Sequence, residues 1–242
     1  MKTQVLIFAV LFITTAISAQ KKKEVFTQET YGLNNTGTAL TILFEKGSEH
    51  NHPLFAIWLA VENGNYLQTL YVSESIGKGV FRRANRKTGQ WKAGEIQRPA
   101  TLPYWAHQRN EKNELGTYMP TPKHAVPDAY TGATPSNSFI LHIKTEKILS
   151  GKYKIMFELN QSWDWNEYWT NDKYPNDKEY KTSSQPALVY SADINTSTPN
   201  QEYILKPIGH SHYAGADGSL NTDLSTLTTA LKIANKITVK LN

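Results

Sequence analysis

The chain has 242 residues, 39% hydrophobic and 19% charged, and carries a formal charge of +5. That balance supports a buried core in one large or two small domains and excludes disordered, collagen-like and coiled-coil chains. Cysteine is absent, which excludes disulfides, thiolate zinc sites, cysteine nucleophiles and a lipid-bearing N-terminal cysteine.

In chain order, Lys2 begins a basic segment, Val5 to Ile13 is unbroken apolar, and Ala16 to Ala19 supplies small residues before Gln20. This pattern reads as an export signal cleaved after Ala19, with an uncleaved anchor as the alternative. Nothing later approaches the ~20 apolar residues a membrane span needs, so no transmembrane span is expected in the mature chain. Residues 20–36, which include Lys21 to Lys23, are expected to be flexible, and residues 37–242 to form one domain. Thr38–Glu45, Leu54–Glu62 and Tyr66–Val72 are rich in β-branched and aromatic residues and predict strands, the last two joined as a hairpin by Glu62-Asn63-Gly64-Asn65. Arg82, Arg83, Arg86 and Lys87 read as a solvated loop, and no basic stripe argues for nucleic acid.

Arg98 to Ser138 is poor in strand pattern and holds six prolines, Pro99, Pro103, Pro120, Pro122, Pro127 and Pro135. It predicts a long loop with one short helix over Thr101–Arg109, and loops of that length tend to be functional. Ser138–Thr145 and Lys152–Leu159 predict a second hairpin around Ser150-Gly151. Ala187–Ile194, Tyr203–Lys206 and Lys236–Leu241 predict three more strands. Between the last two, Thr222 N-caps a predicted helix to Asn235, with Leu224, Leu227 and Leu231 on its inner face. The fold class expected is mainly β, an antiparallel β-sandwich of immunoglobulin or fibronectin shape with one C-terminal helix and a short helix in the long loop.

Three constellations carry candidate chemistry. The first is Asp128-Ala129-Tyr130-Thr131-Gly132-Ala133-Thr134, which resembles the D-x-x-[ST]-G-A-[ST] signature of exported proteins that carry covalent FMN. That resemblance implies Thr134 as the acceptor of the FMN phosphate, joined by a flavin transferase, with Asp128, Thr131, Gly132 and Ala133 as the segment the transferase reads. The alternative is a plain turn in which Gly132 supplies a positive φ. The second is aromatic. Trp163, Trp165 and Trp169, with Trp105 in the loop helix, offer indoles for a planar ligand, and Trp163 and Trp165 share a face if the preceding strand continues. They equally suit a cap on the core. The third is histidine. His50 and His52, with His210 and His212, would bind a transition metal only if the two pairs met, and hydrogen bonding within the Gly-rich loop is the expectation for the second pair. Hydrolase motifs such as Gly-x-Ser-x-Gly and His-Glu-x-x-His are absent, while a paired-carboxylate glycosidase remains a third reading.

Taken together, FAIWLAVENGNYLQTLYVSESIGKG from Phe55, RPATLPYWAHQR from Arg98, DAYTGATP from Asp128, QSWDWNEYWTNDKYPND from Gln161, QPALVY from Gln185 and PIGHSHYAGADGSLNTDLSTLTTALKIANKITV from Pro207 resemble the periplasmic domain-of-unknown-function family numbered twenty-two seventy-one. The likeness covers nearly all of the mature chain. It implies a periplasmic location, neighbours that include flavin transferases and PepSY-type membrane reductases, and a part in extracytosolic electron transfer. It supplies no catalytic residue. Two expectations of different class follow: a flavin-bearing electron carrier, or a binding module without chemistry.

Overall fold

The computed structural model describes residues 25–85 and 92–242. The chain is mainly β, in two mixed sheets and a small hairpin. The first sheet contains β1 (Thr27–Tyr31), β2 (Ala39–Lys46), β8 (Phe139–Lys144), β11 (Glu202–Ile204) and β13 (Ala234–Leu241) in the order β1-β8-β2-β13-β11. The second contains β3 (Leu54–Val61), β4 (Tyr66–Ser73), β7 (Thr131–Gly132), β9 (Lys152–Asn160), β10 (Leu188–Asn195) and β12 (Lys206–His210) in the order β12-β10-β9-β3-β4-β7. Pairing is antiparallel except where β1 meets β8 and β4 meets β7, at one edge of each sheet. The antiparallel arrangement expected thus holds for most strand pairs, with one parallel pair in each sheet.

The burial pattern explains the layers. In β2 the residues Leu40, Ile42 and Phe44 are buried at every second position, as a strand with one apolar face requires. They meet Phe139, Leu141 and Ile143 of β8 and, from the second sheet, Phe55, Ile57, Leu59, Phe157 and Leu188 in one shared core. Rings cross between the sheets, with Phe44 stacked on Phe55 and on Phe157 at centroid distances of 6.4 and 6.0 Å. β3 reads as a continuous apolar run because it is buried on both faces. Its alternate residues Ala56, Trp58 and Ala60 face a second apolar cluster with Leu102, Trp105, Met156 and Val189. Full burial of each large side chain contributes ~1.5–3 kcal/mol.

The hairpin of β3 and β4 forms as expected. The second hairpin does not: β8 pairs with β1 and β2, and β9 pairs with β3 and β10, so the Ser150-Gly151 turn carries the chain from one sheet to the other. The strand expected over Tyr203–Lys206 divides at buried Leu205 into β11 and β12, which belong to different sheets. Residues 27–31, inside the stretch expected to be flexible, form β1. The basic group expected in a loop lies partly in β5 (Val80–Asn85), which pairs with β6 (Lys92–Glu95), and Arg86 and Lys87 fall outside the described residues.

The long loop between Arg98 and Ser138 is largely built rather than structureless. It holds α2 (Pro103–Arg109), close to the short helix expected, two 3-10 turns at Pro122–His124 and Asp128–Tyr130, and β7. The C-terminal helix over Thr222–Asn235 is absent. Asn221 bridges to His210, its side chain accepts from the Asp223 amide, and the Asp223 side chain accepts from Ser225, each at 2.8–2.9 Å. Local side-chain bonds of this kind compete with helix formation. Thr228 and Thr229 are drawn toward Asn166, Gln185 and Asp164, and only a 3-10 turn over Ala230–Lys232 precedes β13. Leu227 is nevertheless fully buried.

Candidate functional site

The Asp128–Thr134 motif is held against the end of β4. Thr131 and Gly132, as β7, pair in parallel with Val72 and Ser73. The segment is thus part of a sheet edge rather than of the long loop expected. Directly after Ser73 the chain turns into α1 (Glu74–Lys78), which ends at Gly79 in the left-handed conformation. Lys78 Nζ lies 2.9 Å from Glu74 and 3.0 Å from Asp128, tying the start of the motif to this helix. Both carboxylates raise the Lys78 pKa through these hydrogen bonds.

Beneath the motif sits Tyr71, fully buried, whose hydroxyl donates to the carbonyls of Gly132 at 3.0 Å and Ala133 at 3.3 Å. Its ring stacks on Phe55 at 4.9 Å and meets the edge of Tyr31 at 4.9 Å. Tyr31 in turn donates to Glu29. Burial pushes both phenol pKa values upward, so the two remain hydrogen-bond donors at any physiological pH. Gly132 does not have a positive φ, which removes the plain-turn explanation for it. It is small because a Cβ there would overlap the Tyr31 hydroxyl.

Thr134 is half-buried, and its Oγ1 donates to Ser73 Oγ at 2.8 Å. It lines a cavity of about 330 Å³ together with Glu74, Ser75, Phe81, Arg82, Gly132 and Ala133. Arg98 places its guanidinium carbon 4.8 Å from the centroid of Phe81, and burial lowers the pKa of that guanidinium. The partner of the Thr134 hydroxyl is thus a neutral serine hydroxyl and not a base, and an alcohol needs a base to become a strong nucleophile.

The indoles do not form one surface. β9 ends at Asn160, so Trp163 and Trp165 share no strand face. Trp163 has a positive φ and is 68% exposed. Trp165 turns in against the core, its ring 5.9 Å from Tyr180. Trp169 is buried, donates from Nε1 to Thr226 at 3.0 Å, and carries Lys173 Nζ 3.9 Å from its ring. Trp105 is fully buried on the inner side of α2 and donates from Nε1 to Thr69 at 3.0 Å. Trp165, Trp169 and Trp105 pack against the core, whereas Trp163 does not.

The histidine pairs are likewise structural in their contacts. His50 packs on Phe44 at 5.8 Å, and burial lowers its pKa. His52 Nδ1 lies 3.1 Å from the Asn51 side chain. His210 Nδ1 lies 2.8 Å from the Ser211 carbonyl, and His212 Nδ1 accepts from the amides of Ala214 and Ala216 at 3.1 and 3.3 Å, the loop-holding arrangement expected. Among the described residues no group of three or more His, Asp or Glu side chains is placed to hold a metal ion.

Sequence reasoning passed over Ser73, Tyr71 and Tyr31 at the motif, and Glu158. Glu158 is fully buried on β9 and accepts from the amides of Tyr104 at 3.1 Å and Trp105 at 2.7 Å at the start of α2. Burial pushes its pKa up to about 8, against the lowering effect of those two amides and Ser211. A carboxylate in the middle of the apolar run Ile155-Met156-Phe157-Glu158-Leu159 was the available signal. No helix of the described residues is long and apolar enough to cross a membrane. No family model, curated protein or solved structure matches the chain.

Proposed function

We propose that this protein is an exported, periplasmic electron carrier that bears FMN covalently on Thr134, with a flavin transferase as its modifying partner and a PepSY-type membrane reductase as a redox partner. Its two face-to-face sheets are read as a β-sandwich of the immunoglobulin or fibronectin kind. The observation that carries the reading is the position of Thr134 on the lining of a cavity of about 330 Å³ that also presents Arg82 and Phe81. That volume lies within the ~300–1,000 Å³ of small-molecule sites. The residues fit the group: the Arg82 guanidinium suits a phosphate ester, and the Phe81 ring suits a planar heteroaromatic. The flavin, when bound, supplies the electron transfer, and the protein supplies attachment, orientation and control of access. Tyr71 fixes the backbone beside the attachment point through the Gly132 and Ala133 carbonyls. Arg98 backs the Phe81 ring.

The test is co-expression with a flavin transferase, followed by intact mass and in-gel flavin fluorescence. A gain of FMN less one water, lost in Thr134→Ala, is expected. Unmodified protein, in a host where a control acceptor is labelled, refutes the reading.

A further inference from the structure

We propose that Ser73 is the positioning residue for modification of Thr134: it orients the acceptor hydroxyl before the reaction and holds the ester oxygen after it. This rests on the flavin reading above. Ser73 is fully buried at the last position of β4, in register with Gly132 of the motif. Its Oγ accepts from the Phe55 amide at 3.0 Å and from Thr134 Oγ1 at 2.8 Å. The first bond fixes the serine oxygen relative to β3, deep in the second sheet. The second engages the threonine proton and leaves the Thr134 lone pairs without a described donor. With Tyr71 holding the two preceding carbonyls, backbone and side chain of the acceptor are restrained independently.

The step balances simply. The bond from Thr134 Oγ1 to phosphorus forms as the pyrophosphate P–O bond of a flavin dinucleotide donor breaks. A nucleoside monophosphate leaves with the electron pair, and the hydroxyl proton leaves its bond with Ser73 Oγ and passes to a basic group of the transferase. The product oxygen carries no hydrogen and can only accept. A serine hydroxyl suits both states, because its own O–H is free to turn and donate to the ester while its oxygen keeps the Phe55 amide. Pre-orientation of this kind raises rate by removing the rotamer search from the reaction.

The experiment measures initial rates of labelling by purified transferase with flavin adenine dinucleotide, read by fluorescence and intact mass. Ser73→Ala and the near-isosteric Ser73→Cys are each expected to slow labelling more than fivefold, and Ser73→Thr to recover it to within fivefold of wild type. Ile57→Val, a core truncation on the strand beside β4, is the control for lost stability and is expected to label at the wild-type rate. Labelling of Ser73→Ala or Ser73→Cys within fivefold of wild type overturns the role of Ser73 while leaving Thr134 as acceptor. Equal slowing of Ile57→Val overturns it too, by tracing the effect to stability. A wild-type protein that takes no label removes the parent reading as well.

Discussion

Replacing Glu158 by Gln should remove a pH dependence of stability that the wild type carries. The carboxyl is fully buried, and its pKa rises from 4.5 to about 8. A raised folded-state value means that the folded protein binds the proton more tightly than the unfolded chain. The stabilisation is complete below the unfolded pKa and is lost as pH rises toward 8. At ~1.4 kcal/mol per pH unit, wild type should lose roughly 2–3 kcal/mol relative to Glu158→Gln between pH 5 and pH 7, with little further loss above 8. A urea slope of ~1–3 kcal/mol per molar turns that into a midpoint lower by about 1 M or more. Urea unfolding of both proteins at pH 5, 6, 7, 8 and 9 measures it. Taking the difference between them cancels the other shifted groups, such as Asp164 and Glu179, whose pKa values burial also raises. A difference that is flat between pH 5 and 7, or that grows in favour of wild type, would show that the amides of Tyr104 and Trp105 hold the carboxylate charged and would refute the argument.

Gly132→Ala should destabilise the protein by ~1–3 kcal/mol, because the added methyl overlaps the Tyr31 hydroxyl; adding Tyr31→Phe should return part of that loss in thermal melts, and no recovery in the double variant would place the strain elsewhere. Leu227→Asp should cost several kcal/mol in urea unfolding although Leu227 lies in no helix, since it buries an unpaired carboxylate in the main core. A change below ~0.5 kcal/mol, the scale of surface substitutions, would mean that this side chain is exposed in solution.

The strands were legible where burial writes a period into the chain: Leu40, Ile42 and Phe44 alternate because β2 has one buried face, and β3 reads as a solid run because it has two. What a local pattern cannot carry is sheet membership. The Ser150-Gly151 turn looks the same whether it folds β9 back beside β8 or sends it to the opposite layer. The leucines near Leu227 have helical spacing, yet Asn221, Asp223 and the threonines find hydrogen-bond partners that a helix would forgo. At the candidate site the Asp128–Thr134 segment is contiguous in the sequence. Its supports are not, because Ser73 and Tyr71 lie 61 residues from the atoms they bond, and no spacing rule reaches that far.

The edges of the two sheets have a consequence for self-association. Open edges template pairing with other chains, and short strands, proline and charge are the usual deterrents. Here β11 has three residues, β12 contains Pro207, β1 contains Glu29, and the remaining edge is closed by the two residues of β7. The Thr131–Gly132 segment therefore serves as a guard strip at the end of β4, held by two rungs and the Tyr71 hydroxyl. Any displacement of Thr134 pulls directly on that strip. Peeling it away would bare the backbone of β4 at Val72 and Ser73 and leave an unpaired edge, so the order of this short segment bears on whether the second sheet can pair with another chain.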